Sequence, residues 1–183
     1  PPRPDRLFFA VFRDAKSVAR FGEFQRRFLH GQRLPGNPLG TERLHVSLHH
    51  VGDYQRLRGK FVYAARQAGK AIAMRSCLVT FRAIASFEGA RPRGGRPHRR
   101  PLVLLGEGEA LRALHEALGA AMEKNGLKAA AHFTPHMTLS YSPRRIATRS
   151  IEPIRFLARE LVLIHSELWR TRYNILGRWP LRD

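Results

Sequence analysis

The chain has 183 residues and a mass of 20.9 kDa, enough to bury roughly 70% of its unfolded surface around one core without a covalent staple. Its single cysteine, Cys77, excludes an internal disulfide and any multi-cysteine metal site, and no apolar run reaches the ~18 residues of a membrane span. Thirty-three lysines and arginines against fourteen acidic residues give a formal charge of +19, a field that draws polyanions toward the surface. Arginine-rich composition also arises without such a partner, so the charge nominates a class of partner and not a function. The opening PPRPDRLFFAVFRD mixes charged and apolar residues too early for a signal peptide. With a mean hydropathy of -0.36, the chain is expected to be a soluble, cytoplasmic protein, and nothing in it demands more than a monomer.

Residues 6–12 (RLFFAVF) form a short apolar run that predicts a buried strand. Residues 14–29 place Val18, Phe21, Phe24 and Phe28 on one helical face, with Asp14 as a candidate N-cap. GQRLPGNPLG reads as a loop, and 43–51 (RLHVSLHHV) alternates like a half-buried strand. Helical spacing returns over 53–69 and stops at Gly69. Residues 71–87 predict one long or two short strands, with Cys77 as a small core residue. RPRGGRPHRRP has nothing to bury and predicts a flexible tip or loop able to hold an RNA tail. Further strands are expected at 102–105, 135–141, 156–168 and 172–180, and a helix at 109–125 that Gly126 ends. Connections are of hairpin length, so the fold class is α+β with mainly antiparallel pairing.

Two strand segments repeat one pattern about half the chain apart. His45-Val46-Ser47-Leu48 and His136-Met137-Thr138-Leu139 each set His, a bulky apolar residue, a hydroxyl residue and Leu in succession. Residues i and i+2 of a strand share a face, so His45 with Ser47, and His136 with Thr138, stand opposite their apolar neighbours. Two solvated polar faces would show the same pattern. Chemistry gives it another use, because imidazole titrates near neutrality and a pair of histidines can serve as base and acid. Each hydroxyl can donate to a phosphoryl oxygen and hold the charge that develops there. No metal or other cofactor is required by such a pair.

These motifs and their flanks resemble the 2H phosphoesterase superfamily, specifically the LigT-like RNA 2′,3′-cyclic phosphodiesterases, also called 2′-5′ RNA ligases. The family signature is a pair of His-x-Thr/Ser-x tetrapeptides. Similar flanks are RLFFAV at the opening strand, Gly52 after the first motif, Leu105-Gly106, the segment Arg170-Thr171-Arg172-Tyr173, and Trp179. The resemblance implies that residues 1–183 make one bilobal domain, two pseudo-symmetric lobes with antiparallel sheets and outer helices around a cleft, one motif per lobe. It also implies metal-independent hydrolysis of RNA or nucleotide 2′,3′-cyclic phosphates to 2′-phosphomonoesters, with reverse 2′-5′ ligation as a further capability. His136 would be the proton acceptor and His45 the proton donor, with Ser47 and Thr138 orienting the phosphate. The expected partners are RNA or nucleotides ending in a 2′,3′-cyclic phosphate.

The sequence departs from the family pattern in places. Ser47 stands where Thr is commoner, and His49 and His50 replace apolar and aromatic residues. In a regular strand His49 would share the face of His45. Ser140-Tyr141 occupies a place where the family often has arginine, which makes Arg144 or Arg145 the candidate phosphate cation. Phe8 or Phe9 offers a stacking face for a nucleobase, with Phe9 the candidate, and Arg172 and Tyr173 are candidate contacts by resemblance. His115 has Glu116 beside it rather than one turn away, which argues against a shared metal. The alternatives to the leading reading are a basic RNA-binding module without catalysis, and a 2H phosphodiesterase acting on another cyclic or 2′-5′ phosphodiester.

Overall fold

The computed structural model describes residues 2–183. Among them the elements run β1 (Asp5–Phe12), α1 (Val18–Gly31), β2 (Asn37–Pro38), β3 (His45–Tyr54), α2 (Gly59–Lys70), β4 (Cys77–Ser86), β5 (Arg100–Glu107), α3 (Glu109–Lys124), β6 (His136–Ser142), β7 (Arg149–Ala158), β8 (Glu160–Glu167) and β9 (Arg172–Pro180). The strands pair antiparallel in the order β7-β4-β5-β6-β3-β1-β8-β9, with β2 beside β6. This is the mixed, antiparallel fold class expected from the alternation of strand and helix patterns. No helix among the described residues is long and apolar enough to cross a membrane.

One face of the sheet carries the main core. Leu7, Phe9 and Val11 of β1, Val79 and Phe81 of β4, and Leu102 and Leu104 of β5 bury there beneath the apolar faces of the helices. From α1, Phe21 meets Phe81 and Phe156 edge-on, so this helix covers β4 and β7. In contrast, α2 lies on β8 and β9 and α3 reaches β3 and β4. Each fully buried aromatic or leucine is worth about 1.5–3 kcal/mol of transfer free energy. On the opposite face Phe8, Ala10, Val162 and Ile164 form a smaller apolar platform. Strand β1 is thus apolar on both sides, which is why RLFFAVF runs without alternation.

Several element boundaries differ from the sequence expectation: the strand expected from residue 71 begins only at Cys77, and two other differences have a visible cause. The helix expected over 53–69 begins only at Gly59, because Asp53 and Tyr54 extend β3 by pairing with Arg6 and Asp5 of β1. Asp53 also binds the Arg6 guanidinium through two hydrogen bonds, 2.8 and 3.1 Å. The strand expected over 156–168 starts earlier and is divided at Arg159 by a change of partner: β7 pairs with β4, and β8 pairs with β1 and β9. Since one residue links two strands from distant places in the sheet order, the sheet has to curl. Asp14 makes no side-chain capping bond; a short 3-10 turn, Ala15–Ser17, leads into α1 instead. Residues 87–99 are an irregular connection, with Gly89, Gly94 and Gly95 at positive φ.

Candidate active site

Strands β3 and β6 touch through one residue pair, Val46 with Met137, and both side chains are fully buried in the helix-covered core. Directly opposed residues of an antiparallel pair point to the same face. Their neighbours His45, Ser47, His136 and Thr138 therefore all emerge on the other face, where they line a cavity of about 380 Å³ together with Phe8, Arg43, Tyr141 and Tyr173. The ladder between the two strands ends at that pair, and the hydroxyl bonded to His45 is that of Ser47 on its own strand. A larger hollow of about 820 Å³, lined by Asp53, Tyr54 and several arginines, lies elsewhere and contains no histidine.

Both imidazoles are held in the same way. His45 Nδ1 donates to the carbonyl of Arg43 at 2.6 Å, and His136 Nδ1 donates to the carbonyl of Thr134 at 2.8 Å. In each case the acceptor lies two residues upstream, and it fixes the tautomer that leaves Nε2 with a free lone pair. His45 Nε2 accepts from the Ser47 hydroxyl at 3.1 Å. Phe8, Phe12 and Tyr173 enclose the His45 ring at 5.4–5.7 Å, while Phe87 lies edge-on to His136 at 4.9 Å. Burial pushes the His45 pKa down to about 4; the Arg43 carbonyl bond opposes this, and the charges of His136, Arg43 and Arg13 add to it. In the free protein His45 is accordingly a neutral imidazole at physiological pH.

The residues offered as substrate contacts divide into those at the cavity and those away from it. Tyr173 lines it, with the Arg43 guanidinium 4.5 Å over its ring. Phe9 does not: its side chain is completely buried on the core face near Trp179, and Phe8 takes the cavity side. Strand alternation permits only one of the two to reach the cavity. Arg144 is drawn off to the carbonyl of Gln32 at 2.6 Å, and Arg172 lies 4.0 Å from Glu167; neither lines the cavity. The cation there is Arg43, which forms no ion pair within 4.0 Å among the described residues, whereas Arg6 is committed to Asp53. Arg43 stands two residues before His45 in the sequence, at the end of the 3-10 turn Thr41–Arg43 that leads into β3.

His49 occupies a different environment from the one expected. Opposite β1 the register steps from Ala10–Ser47 to Phe9–His49, so Leu48 is an extra residue on β3. Such a bulge turns the next side chains to the other face, until a second step between Phe8–His50 and Leu7–Gly52, with Val51 as the extra residue, restores the alternation. His49 turns into the helix-covered side, where its Nε2 donates to the His115 carbonyl at 2.8 Å and its ring stacks on His115 at 3.9 Å. His50 takes the cavity face in its place and donates to Asp53 at 3.0 Å.

The chain matches the family described as the 2′-5′ RNA ligase superfamily over residues 14–168. No protein of curated function matches it by sequence. Among solved structures it is similar to TT0787 of Thermus thermophilus, with a TM-score of 0.74, 23% identity, and 97% and 98% of the two chains covered. It is also similar to E. coli LigT in its apo form, with a TM-score of 0.69, 22% identity and full coverage of both chains. For E. coli LigT complexed with 3′-AMP the TM-score is 0.71 at 22% identity, covering 98% of this chain and 99% of that one. The match over most of the sequence, on a fold shared end to end with LigT, has a plain conclusion: the chain belongs to the 2′-5′ RNA ligase superfamily of 2H phosphoesterases.

Proposed function

We propose that the protein hydrolyses the 2′,3′-cyclic phosphate at an RNA or nucleotide end to a 2′-phosphomonoester. The observation that carries this reading is the matched pair of imidazoles, each fixed through Nδ1 to a backbone carbonyl and each presenting Nε2 to one cavity. A binding surface has no use for two histidines locked in the same tautomer beside two hydroxyls; acid–base chemistry at phosphorus does. The nucleotide complexes of LigT, with 3′-AMP and with ATP, belong to a neighbour of this fold and support a nucleotide-like ligand.

In this mechanism His136 Nε2 removes a proton from the attacking water as its oxygen bonds to phosphorus. The bond from phosphorus to the ribose 3′ oxygen breaks, and His45 Nε2 delivers a proton to that oxygen. Negative charge on the bound phosphate raises the His45 pKa and lets the buried imidazole carry the proton it lacks in the free protein. Ser47, Thr138 and Arg43 hold the non-bridging oxygens as charge builds on them. With the 5′-hydroxyl of a second RNA in place of water, and the 3′ oxygen leaving as before, the same two groups would form a 2′-5′ linkage.

The test is incubation with a nucleoside 2′,3′-cyclic phosphate in EDTA, with the 2′- and 3′-monophosphates separated. Accumulation of the 2′ product is expected. Absence of product from both mononucleotides and cyclic-phosphate-ended RNA would replace this reading with that of a basic RNA-binding module.

A further inference from the structure

Beside the histidine cavity lies a second one of about 560 Å³, and the two share Arg43 and Tyr173 as a common wall. This volume lies within the range of small-ligand sites, about 300–1,000 Å³. Its sides come from the end of β1, from the turn before β3, and from the β8–β9 hairpin. Arg13 contributes a guanidinium from the first of these, and Arg43 from the second. The Nε atoms of both are buried with no hydrogen-bond partner. Burial lowers the Arg13 pKa, opposed by the charge of Glu42, the acidic residue of this cavity. Arg178, also on the wall, is already paired with Glu160 at 2.9 Å. Two arginines with spare buried donors against one carboxylate make an anion site, and their planar forks suit a phosphodiester.

The hairpin wall adds an aromatic element. Leu168 lines the histidine cavity and Thr171 the second one. Between them Trp169 is 71% exposed, while Thr171 holds φ at 48°, a backbone conformation that a β-branched residue rarely adopts. The turn therefore joins the rims of the two cavities and carries an exposed indole. Exposed aromatic faces of this kind stack bases without regard to sequence.

We propose that this second cavity binds the penultimate nucleotide of an RNA 3′ end, with Arg13 on the phosphodiester that joins it to the terminal nucleotide and Arg43, in the shared wall, between that phosphodiester and the terminal phosphate. The proposal rests on the phosphodiesterase reading and deepens it, since it makes an oligonucleotide end the preferred substrate over a mononucleotide. The terminal cyclic phosphate lies between the histidines, and the chain leaves across the Arg43–Tyr173 wall into the neighbouring cavity.

The experiment compares kcat/KM for a nucleoside 2′,3′-cyclic phosphate with that for a dinucleotide carrying the same cyclic end, in wild type, Arg13→Ala and Ile175→Glu. Ile175 lines the second cavity alone and is 39% exposed, so the added carboxylate repels a phosphodiester without touching the histidines. Wild type should favour the dinucleotide at least tenfold, and either variant should lower that preference ratio at least tenfold. A ratio near one in wild type, or a ratio that neither variant moves, overturns the proposal. A calorimetric titration of the dinucleotide with a terminal 3′-phosphate runs alongside and needs no turnover. Weaker binding in both variants supports the second site even if cyclic phosphates prove inert; in that case the phosphodiesterase reading fails while the nucleotide site stands. Equal binding by wild type and both variants removes the site whatever the assay shows.

Discussion

Val46 and Met137 form the one residue pair through which β3 joins β6, and the two catalytic candidates stand next to them in sequence. The link is narrow, so its packing carries the alignment of the motifs. Met137 is fully buried, and Met137→Ala should cost about 2–5 kcal/mol by leaving a cavity. Urea denaturation with circular dichroism reads this as a lower midpoint at unchanged m-value. Loss of activity in the fraction that remains folded would show that the strands had also moved relative to each other.

His45→Ala and His136→Ala should each abolish turnover, by at least about 10³-fold, because each removes one end of a proton-transfer pair. Their thermal unfolding should stay within a few degrees of wild type, as neither ring belongs to the main core cluster. A near-normal rate in either variant would sink the two-histidine mechanism.

The pH dependence of kcat/KM should be bell-shaped and persist in EDTA, with an acid limb near pH 4 reporting the buried His45 coupled to His136. Burial is the largest cause of the depression, and Phe8 is one of the rings that enclose the imidazole. Phe8→Ala should admit water and move the acid limb upward. A limb that stays in place would assign it to another group.

The His49–His115 stack makes stability pH-dependent. Burial lowers both pKa values, with the charge of His49 as the next cause for His115, which falls to about 4. The unfolded chain takes up these protons near pH 6.5 and the folded chain does not, so below that pH the unfolded state binds more protons. Stability should therefore be fully present above about 6.5 and fall toward pH 4, by at most about 1.4 kcal/mol per pH unit for each histidine. Chemical denaturation at several pH values measures the slope. His115→Phe, which preserves the stack with Phe133 at 4.2 Å, should flatten it.

Gly36 has φ at +131°, and a Cβ there would collide with the Tyr141 carbonyl oxygen. Gly36→Ala should disturb the pairing of β2 with β6 and displace Tyr141 from the cavity. We expect a loss of more than about 1 kcal/mol in stability together with a raised KM; a variant with both unchanged would show that β2 does not support the site.

Much of this arrangement was legible in the sequence because alternation is a local signal. Leu48 and Leu139 in the core, with His45 and His136 outward, follow from period two, and so does the strand character of RLFFAVF. The bulge at Leu48 was not legible: it depends on the register against β1, and no glycine or proline marks it within residues 46–51. Hence His49 and His50 exchanged faces relative to expectation. The start of α2 was hidden for a related reason, since the ion pair of Asp53 with Arg6 is a contact between residues far apart in the chain. Nearness to the motifs in sequence and the resemblance point to Arg144 and Arg172, but Arg144 binds the Gln32 carbonyl and Arg172 lies 4.0 Å from Glu167, away from the cavity.

The sheet order has a consequence for how the protein comes into being on the ribosome. Strands β4 to β7, which surround His136, are one uninterrupted stretch of chain, whereas the strands around His45 unite β1 and β3 with the much later β8 and β9. Hairpin neighbours close quickly and distant ones slowly, so the His136 side can assemble during elongation while β1 still waits for β8. The platform of Val162 and Ile164 beneath Phe8 arrives with that strand. A nascent chain therefore has the strands around His136 in place before those around His45, and the histidine cavity is completed only when β8 and β9 dock.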